Sequence, residues 1–370
     1  MSLVMVMAGG TGGHIFPALA VASELRDRGI DVIWLGTRNG MEARVVPQAG
    51  FPIEWISIRG LRGNGALGWL VSPVRIFKAI AQSLSVFRKL KPVSVLGMGG
   101  FVAGPGGVSA KLLGIPLIIH EQNAAVGLTN KLLSRLADSV LSGFPNVEGL
   151  SKNFSWVGNP VRKFAPNTAL DESSSLHPHI LITGGSQGAL KLNQLVSEAL
   201  ALIRCRQLTQ TDLGGERDKG AGQTFEVWHQ TGANKEPDVT AAYQKVGIAA
   251  RVDEFIKDMG KAYEWADIIV ARSGAMTVTE IAAAGLPSIL IPFPYAVGDH
   301  QTANANFLSG AGAALICQEA ATSAEDLAST LKELLDDRER MKEMGSRAAK
   351  LYRQDSTSVI ADVCMEAADA

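Results

Sequence analysis

Short apolar runs alternate along this chain with longer stretches in which apolar residues recur every three or four positions. Residues 3–8 form the first run, and helical spacing follows at 16–28. Residues 31–35 are a second run and 42–49 a short amphipathic stretch. Runs at 93–96 and 115–119 come next, with helical patterns between them, and 157–160 closes this half. Continuous apolar strands separated by helices predict a parallel sheet covered on both faces. The pattern then restarts, with a strand at 179–183, a glycine loop at 184–189 and a helix at 190–202. Further strands fit 224–229, 268–271 and 288–291. The repetition predicts an α/β fold of two doubly wound, Rossmann-like domains facing a cleft. Their boundary falls in the polar stretch 163–178, where Pro166, Asp171 to Ser175 and Pro178 interrupt both periodicities. Residues 206–222 read as a surface loop. The chain from 324 onward reads as helix, with 336–340 a solvated charged face.

Composition changes this picture in one respect. Of 370 residues 39 are glycine, against a usual share of about 7%. They cluster after apolar runs, which places them in loops where backbone approaches a ligand. A net charge of −1 gives no global attraction for nucleic acid. Cys205, Cys317 and Cys364 follow no metal-ligand spacing, and so sparse a set suits a reducing cytoplasm. No run of about 18 uninterrupted apolar residues occurs, so no bilayer span is expected.

A glycine loop between a strand and a helix is an anion site, because unpaired amides and the helix dipole point at one spot. Gly9-Gly10-Thr11-Gly12-Gly13-His14 and Gly184 to Ala189 both fit this, although tight turning alone also accounts for either loop. A dinucleotide is the commonest ligand for such a loop. The G-x-G-x-x-G register is not met, and the second strand ends Leu35-Gly36-Thr37-Arg38 with no acid for a ribose. No Lys-Ser or Lys-Thr closes either loop, so the Walker pattern fails too. A third cluster, 97–107, suggests a ligand with two phosphates or a bulky polar group lying over bare backbone.

Seven stretches together resemble one family, the MurG-type N-acetylglucosaminyltransferases of peptidoglycan synthesis, which carry a GT-B fold. They are GGTGGHIFPALAVA (9–22), GMGGFVAGP (97–105), HEQNAAVGLTN (120–130), GNPVR (158–162), GGSQGA (184–189), ARSGAMTVTEIAAAGLP (271–287) and PFPYAVGDHQTANA (292–305). The resemblance implies inverting transfer of GlcNAc from UDP-GlcNAc to the C4 hydroxyl of a MurNAc-pentapeptide on polyprenyl pyrophosphate, converting lipid I to lipid II. A related enzyme acting on another lipid acceptor is the alternative. It implies an acceptor and membrane domain at 1–163, a nucleotide domain at 164–342, and a helix at about 343–370 returning to the first domain.

The same resemblance implies the site. Thr11, Gly12, Gly13 and Asn123 lie by the donor sugar and diphosphate, Arg162 contacts the donor, and Ser186 holds the diphosphate. The backbone of Ile256 reads uracil. Ala275, Met276, Thr277, Val278, Thr279 and Glu280 hold the nucleoside, with Glu280 on the ribose, and Gln301 reads the sugar. Plainer readings stand beside these. Thr277-x-x-Glu280 is also a capping box, Arg162 fits a linker ion pair, Asn123 fits a turn, and His120 fits a structural histidine.

Inversion needs a base for the acceptor hydroxyl and stabilisation of the leaving diphosphate. No Asp-x-Asp occurs in the chain, so no metal and no cofactor is expected, and loop amides with Ser186 and Arg162 take that part. His14 is the candidate base, since imidazole accepts a proton near neutral pH; positioning the loop is its other reading, and Glu121 is the second candidate. Residues 68–92 mix Leu70, Val71, Val74, Phe77, Ile80, Leu84 and Phe87 with Arg75, Lys78, Arg88, Lys89 and Lys91. Such a face fits an anionic membrane surface or a sheet. The family places it on the membrane, peripherally and on the cytoplasmic side.

Overall fold

In the computed structural model, residues 2–58, 65–150, 153–161, 177–185, 188–212 and 224–369 are described, with backbone alone for 65–72, 208–212, 297 and 368–369. Contacts divide the chain into two units, Met1–Arg162 with Arg353–Ala370, and Lys163–Tyr352.

In the first unit, strands β1 (Leu3–Met7), β2 (Asp31–Gly36), β3 (Ile53–Trp55), β4 (Ser94–Gly97), β5 (Leu117–Glu121), β6 (Ser139–Ser142) and β7 (Ser155–Trp156) are all parallel. Their order is β3-β2-β1-β4-β5-β6-β7, which reverses direction between β1 and β4. Alternation along β1 sorts the two faces. Val4, Val6 and Ala8 lie under helix α1 (Gly12–Asp27), while Met5 and Met7 lie in the opposite core. Helix α1 buries Ile15, Ala18, Val21, Ala22 and Leu25, at three- and four-residue spacing; each large aliphatic so buried contributes about 1.5–3 kcal/mol. The opposite core is closed by α3 (Gly65–Leu90), α4 (Ala103–Leu112) and α5 (Leu128–Leu133), through Ala79, Phe87, Ala110 and Leu133.

The second unit repeats the plan. Strands β8 (His179–Thr183), β9 (Glu226–Gln230), β10 (Ala250–Asp253), β11 (Ile268–Ala271), β12 (Ser288–Leu290) and β13 (Ala314–Ile316) are parallel in the order β10-β9-β8-β11-β12-β13. Ile180 and Ile182 of β8 pack with Leu192, Val196 and Leu200 of α6 (Leu190–Asp212) and with Leu327 and Leu331 of α11 (Ala324–Asp336). Ser323 and Asp326 cap α11 reciprocally.

Two boundaries differ from expectation. Helix α6 continues to Asp212 instead of stopping at 202. No glycine or proline occurs until Gly214, so the polar end of this stretch still winds as helix. At the other end, α12 (Arg338–Leu351) stays in the second unit, because Met341 and Met344 belong to that core. Only α13 (Ser356–Asp369) joins the first unit, burying Ile360, Ala361 and Cys364 beside α1. Arg28 donates to Ser358 Oγ at 2.6 Å and pairs with Asp362, and Ser94 Oγ donates to the Cys364 carbonyl at 2.7 Å. Burial pushes the Cys364 thiol up to about 12.

Candidate active site

Parallel strands deliver their loops to one edge, and in an open α/β sheet that edge is where ligands bind. Beyond β1, Thr11 caps α1 in an extended conformation (φ −109°, ψ 159°) with no side-chain cap. Gly12 and Gly13 are therefore first-turn residues whose amides have no carbonyl one turn back to bond. The loop is braced from below by a group that sequence reasoning missed. Glu42, in the first turn of α2 (Glu42–Gln48), is fully buried. It accepts from Gly10 N at 3.3 Å, Thr37 N at 3.1 Å and Thr37 Oγ1 at 2.7 Å. An acid does stand near the end of β2, then, but its oxygens are spent on protein donors and not offered to a ribose.

The loop after β4 crosses the first loop. Gly100 has φ +80°, and a Cβ there would lie 2.2 Å from the Gly9 carbonyl oxygen. Gly99 has φ +98°, and a Cβ there would lie 2.9 Å from His14 Nδ1. Glycine at 99 thus makes room for the imidazole.

The third loop leaves β5 through His120, Glu121 and Gln122. Half-buried His14, in the first turn of α1, places Nδ1 2.9 Å from Gln122 Oε1. Gln122 Nε2 lies 3.2 Å from His120 Nδ1 and 3.1 Å from the His120 carbonyl. His120 Nε2 in turn lies 2.9 Å from the Gly158 carbonyl. Burial lowers the pKa of His120 to about 4, against a smaller opposing contribution from the Gly158 bond, so the ring is neutral. Glu121 is also buried, and its carboxylate receives Asn123 N (3.0 Å), Asn123 Nδ2 (3.2 Å), Gly127 N (3.2 Å) and Asn130 Nδ2 (2.9 Å). That set of donors makes Glu121 a loop brace. His14 Nε2 makes no hydrogen bond among the described residues.

In the second unit, α9 (Ala275–Ala284) starts after β11 from Gly274, with no side-chain cap. Its first bond is Val278 N to the Gly274 carbonyl at 2.9 Å, so the amides of Ala275, Met276 and Thr277 have no carbonyl one turn back to bond. Thr277 therefore sits inside the first turn, and the Thr277–Glu280 capping box does not form. Thr279 Oγ1 donates to the Ala275 carbonyl at 2.9 Å, and Val278 is buried. Glu280 Oε2 accepts from Tyr263 Oη at 2.9 Å, across from α8 (Met259–Trp265). Ile256 is buried just beyond β10. Gln301, in α10 (His300–Ser309), accepts from Phe293 N at 2.9 Å. Arg272, which precedes the loop, is buried against Glu319 and donates to the carbonyls of Ile291 (3.0 Å) and Pro292 (3.1 Å), tying the end of β12 to the end of β11.

Residues 4–142 match the glycosyltransferase family 28 N-terminal domain, and residues 179–360 match the family 28 C-terminal domain. The chain belongs to glycosyltransferase family 28. Two family relatives have been named UDP-N-acetylglucosamine–N-acetylmuramyl-(pentapeptide) pyrophosphoryl-undecaprenol N-acetylglucosamine transferase. The one from Methylococcus capsulatus is 47% identical, over 99% of each chain. The one from Pseudomonas fluorescens is 46% identical, over 99% of this chain and 98% of its own. A crystal structure of Acinetobacter baumannii MurG superposes with a TM-score of 0.83 at 38% identity, over 99% of this chain and 100% of that one. The two-sheet GT-B architecture is thus the family's own.

Within this family frame, the structure gathers Thr11, Gly12, Gly13, His14, Glu121 and Asn123 at one sheet edge of the first unit. It gathers Ala275 to Glu280 at the corresponding edge of the second, with Ile256 and Gln301 on neighbouring elements. Arg162 and Ser186 lie outside the described residues. Sequence reasoning missed Glu42, Gln122, Asn130, Tyr263 and Arg272. Gln122, Asn130 and Arg272 stand inside stretches that carry the resemblance, which was the one signal for them; Glu42 and Tyr263 stand outside every such stretch, and their contacts with Gly10 and Glu280 are made only by the fold. Among the described residues no three His, Cys, Asp or Glu side chains cluster as metal ligands.

Proposed function

We propose that this chain transfers GlcNAc from UDP-GlcNAc to the C4 hydroxyl of the MurNAc-pentapeptide of lipid I, giving lipid II, with inversion at the donor carbon. Full-length kinship with transferases of that activity carries the reading. In the displacement, the acceptor oxygen forms its bond to the donor C1 as the bond from C1 to the UDP oxygen breaks. His14 Nε2 takes the hydroxyl proton. The second unit holds the nucleotide, with Ala275 to Thr279 on the nucleoside and Glu280 on the ribose. Thr11, Gly12, Gly13 and Asn123 lie along the sugar. A transfer assay with lipid-linked MurNAc-pentapeptide and UDP-GlcNAc, UDP-GalNAc or UDP-Glc tests this. Turnover with UDP-GlcNAc is expected to dominate, and its absence with that donor overturns the reading.

The acceptor is lipid-linked, and we place the enzyme peripherally on the cytoplasmic face of the membrane. Among the described residues no helix is long and apolar enough to cross a bilayer. Helix α3 divides its apolar residues: Ala79 and Phe87 pack inward, while Val74 and Phe77 are 68% and 73% exposed beside Arg75 and Lys78. Phe87 thus leaves the membrane face expected of it, Ile80 and Leu84 are half-buried, and the side chains of Leu70 and Val71 lie outside those described. Leu112 of α4 and Leu128 and Leu132 of α5 are exposed as well, on helices packed in series beside α3, with Lys131 and Arg135 nearby in sequence. Apolar side chains ringed by cations suit an anionic lipid surface. Reversing the charge of Arg75 and Lys78 is expected to lower binding to phosphatidylglycerol vesicles by about tenfold or more; undiminished binding contradicts this placement.

A further inference from the structure

Two backbone carbonyls decide which way every proton points in the network beneath His14. A carbonyl oxygen only accepts. His120 Nε2 lies 2.9 Å from the Gly158 carbonyl, so His120 carries its proton on Nε2 and presents a lone pair at Nδ1. The terminal atom of Gln122 that lies 3.1 Å from the His120 carbonyl must likewise be the NH2 group. The same NH2 reaches the His120 Nδ1 lone pair at 3.2 Å, so both constraints agree. Gln122 then has only its oxygen to turn toward His14 Nδ1, 2.9 Å away, and His14 must donate there. Asn159 Nδ2 donates to the Gln122 carbonyl at 3.0 Å and fixes the backbone of the relay.

We propose that His120 and Gln122 are positioning residues that hold His14 as its Nδ1–H tautomer, reserving the Nε2 lone pair for the acceptor hydroxyl. A free imidazole favours the opposite tautomer, which would put a proton where the base needs a lone pair. The relay removes that form, because an unprotonated Nδ1 would meet the Gln122 oxygen lone pair to lone pair. When Nε2 takes the hydroxyl proton, the Nδ1–H bond to Gln122 persists, so the ring does not turn during transfer. His120 stays neutral throughout, because its burial disfavours the charged form. A neutral ring at 120 keeps the polarity of the chain constant across the working pH range.

The proposal rests on His14 being the base, and its test is independent of turnover. Protein labelled with 15N in the histidine rings, without substrates and above neutral pH, reports the tautomer of each ring by its nitrogen shifts and ring couplings. His14 is expected as Nδ1–H and His120 as Nε2–H. Wild-type His14 found protonated at Nε2, or His120 at Nδ1, overturns the relay. Gln122→Leu is expected to return His14 to a mixture of tautomers. It should lower kcat about 10- to 100-fold with both KM values within about threefold, short of losing the base altogether. If that variant does not fold, the wild-type spectrum alone decides. If the tautomers are as described yet His14→Ala keeps full turnover, the base reading falls while the wiring stands; if His14→Ala is inactive and the tautomers are reversed, the wiring falls alone.

Discussion

Each unit buries one neutral histidine on an interior strand of its sheet, and the two are wired by the same logic to different ends. His120 of β5 gives its Nε2 proton to the Gly158 carbonyl and receives a carboxamide NH2 from Gln122. His229 of β9 has Nε2 3.2 Å from Asn193 Oδ1 and Nδ1 2.9 Å from Tyr243 Oη. Asn193 Nδ2 donates to the Thr231 carbonyl at 3.0 Å, so its oxygen must face His229, which therefore donates from Nε2. Both rings are held neutral by burial, His120 at about 4 and His229 at about 3. In the second unit the chain ends on buried Tyr243, whose pKa burial raises above its usual value. In the first it ends on half-buried His14. A satisfied buried histidine is thus no evidence of chemistry by itself; what matters is whether its network reaches a group that can meet substrate.

Breaking the first network at its open end should have the largest effect. His14→Ala is expected to cut kcat by about 10²–10⁴-fold with little change in thermal midpoint, and near-normal turnover in a steady-state assay would exclude the base role. Breaking the second network should reverse that pattern. His229→Gln leaves Tyr243 or Asn193 short of a partner, at about 1–3 kcal/mol of stability by urea unfolding, with kcat retained. A large loss of kcat in a fully folded His229→Gln protein would abolish the contrast. The smallest effect is shared. Between pH 6.5 and the folded values of about 4 and about 3, the unfolded chain binds protons that the folded chain refuses. Stability is therefore full above pH 6.5 and falls as pH drops through that window, by about 1 kcal/mol per histidine at pH 5.5. Unfolding midpoints measured from pH 7 to 5 check this, and His229→Gln should flatten the slope.

The two sheets were legible because β1, β2, β8 and β11 are apolar runs that end at glycine loops or polar turns. Strands β3, β6, β7, β10 and β13 were not: β3, β7 and β13 have three residues or fewer, Ser139 and Ser142 bound β6, and Arg251 and Asp253 break β10, so none leaves a run to detect. The candidate site was legible where chemistry is local, as in His14 closing a glycine loop, and opaque where it depends on tertiary contact. Glu42 looks like a helix start in sequence, and only the fold brings its carboxylate under Gly10 and Thr37. Gln122 looks like one polar residue among His120, Glu121 and Asn123. Its direction becomes readable only once two carbonyls are placed beside it. Thr277 and Glu280 have capping-box spacing, yet the helix opens three residues earlier at Gly274, because the glycine provides the extended turn.

The return of α13 to the first unit has a consequence for biosynthesis. Ribosomes deliver β1 and α1 early, but the helix that covers α1 follows only after the whole second unit, Lys163–Tyr352, has been made. The nascent first domain must wait with the α13-facing side of α1 open to solvent, a surface that chaperones bind and that aggregation exploits. Completing that domain is therefore a late event of translation, and premature termination anywhere before residue 356 leaves it uncovered.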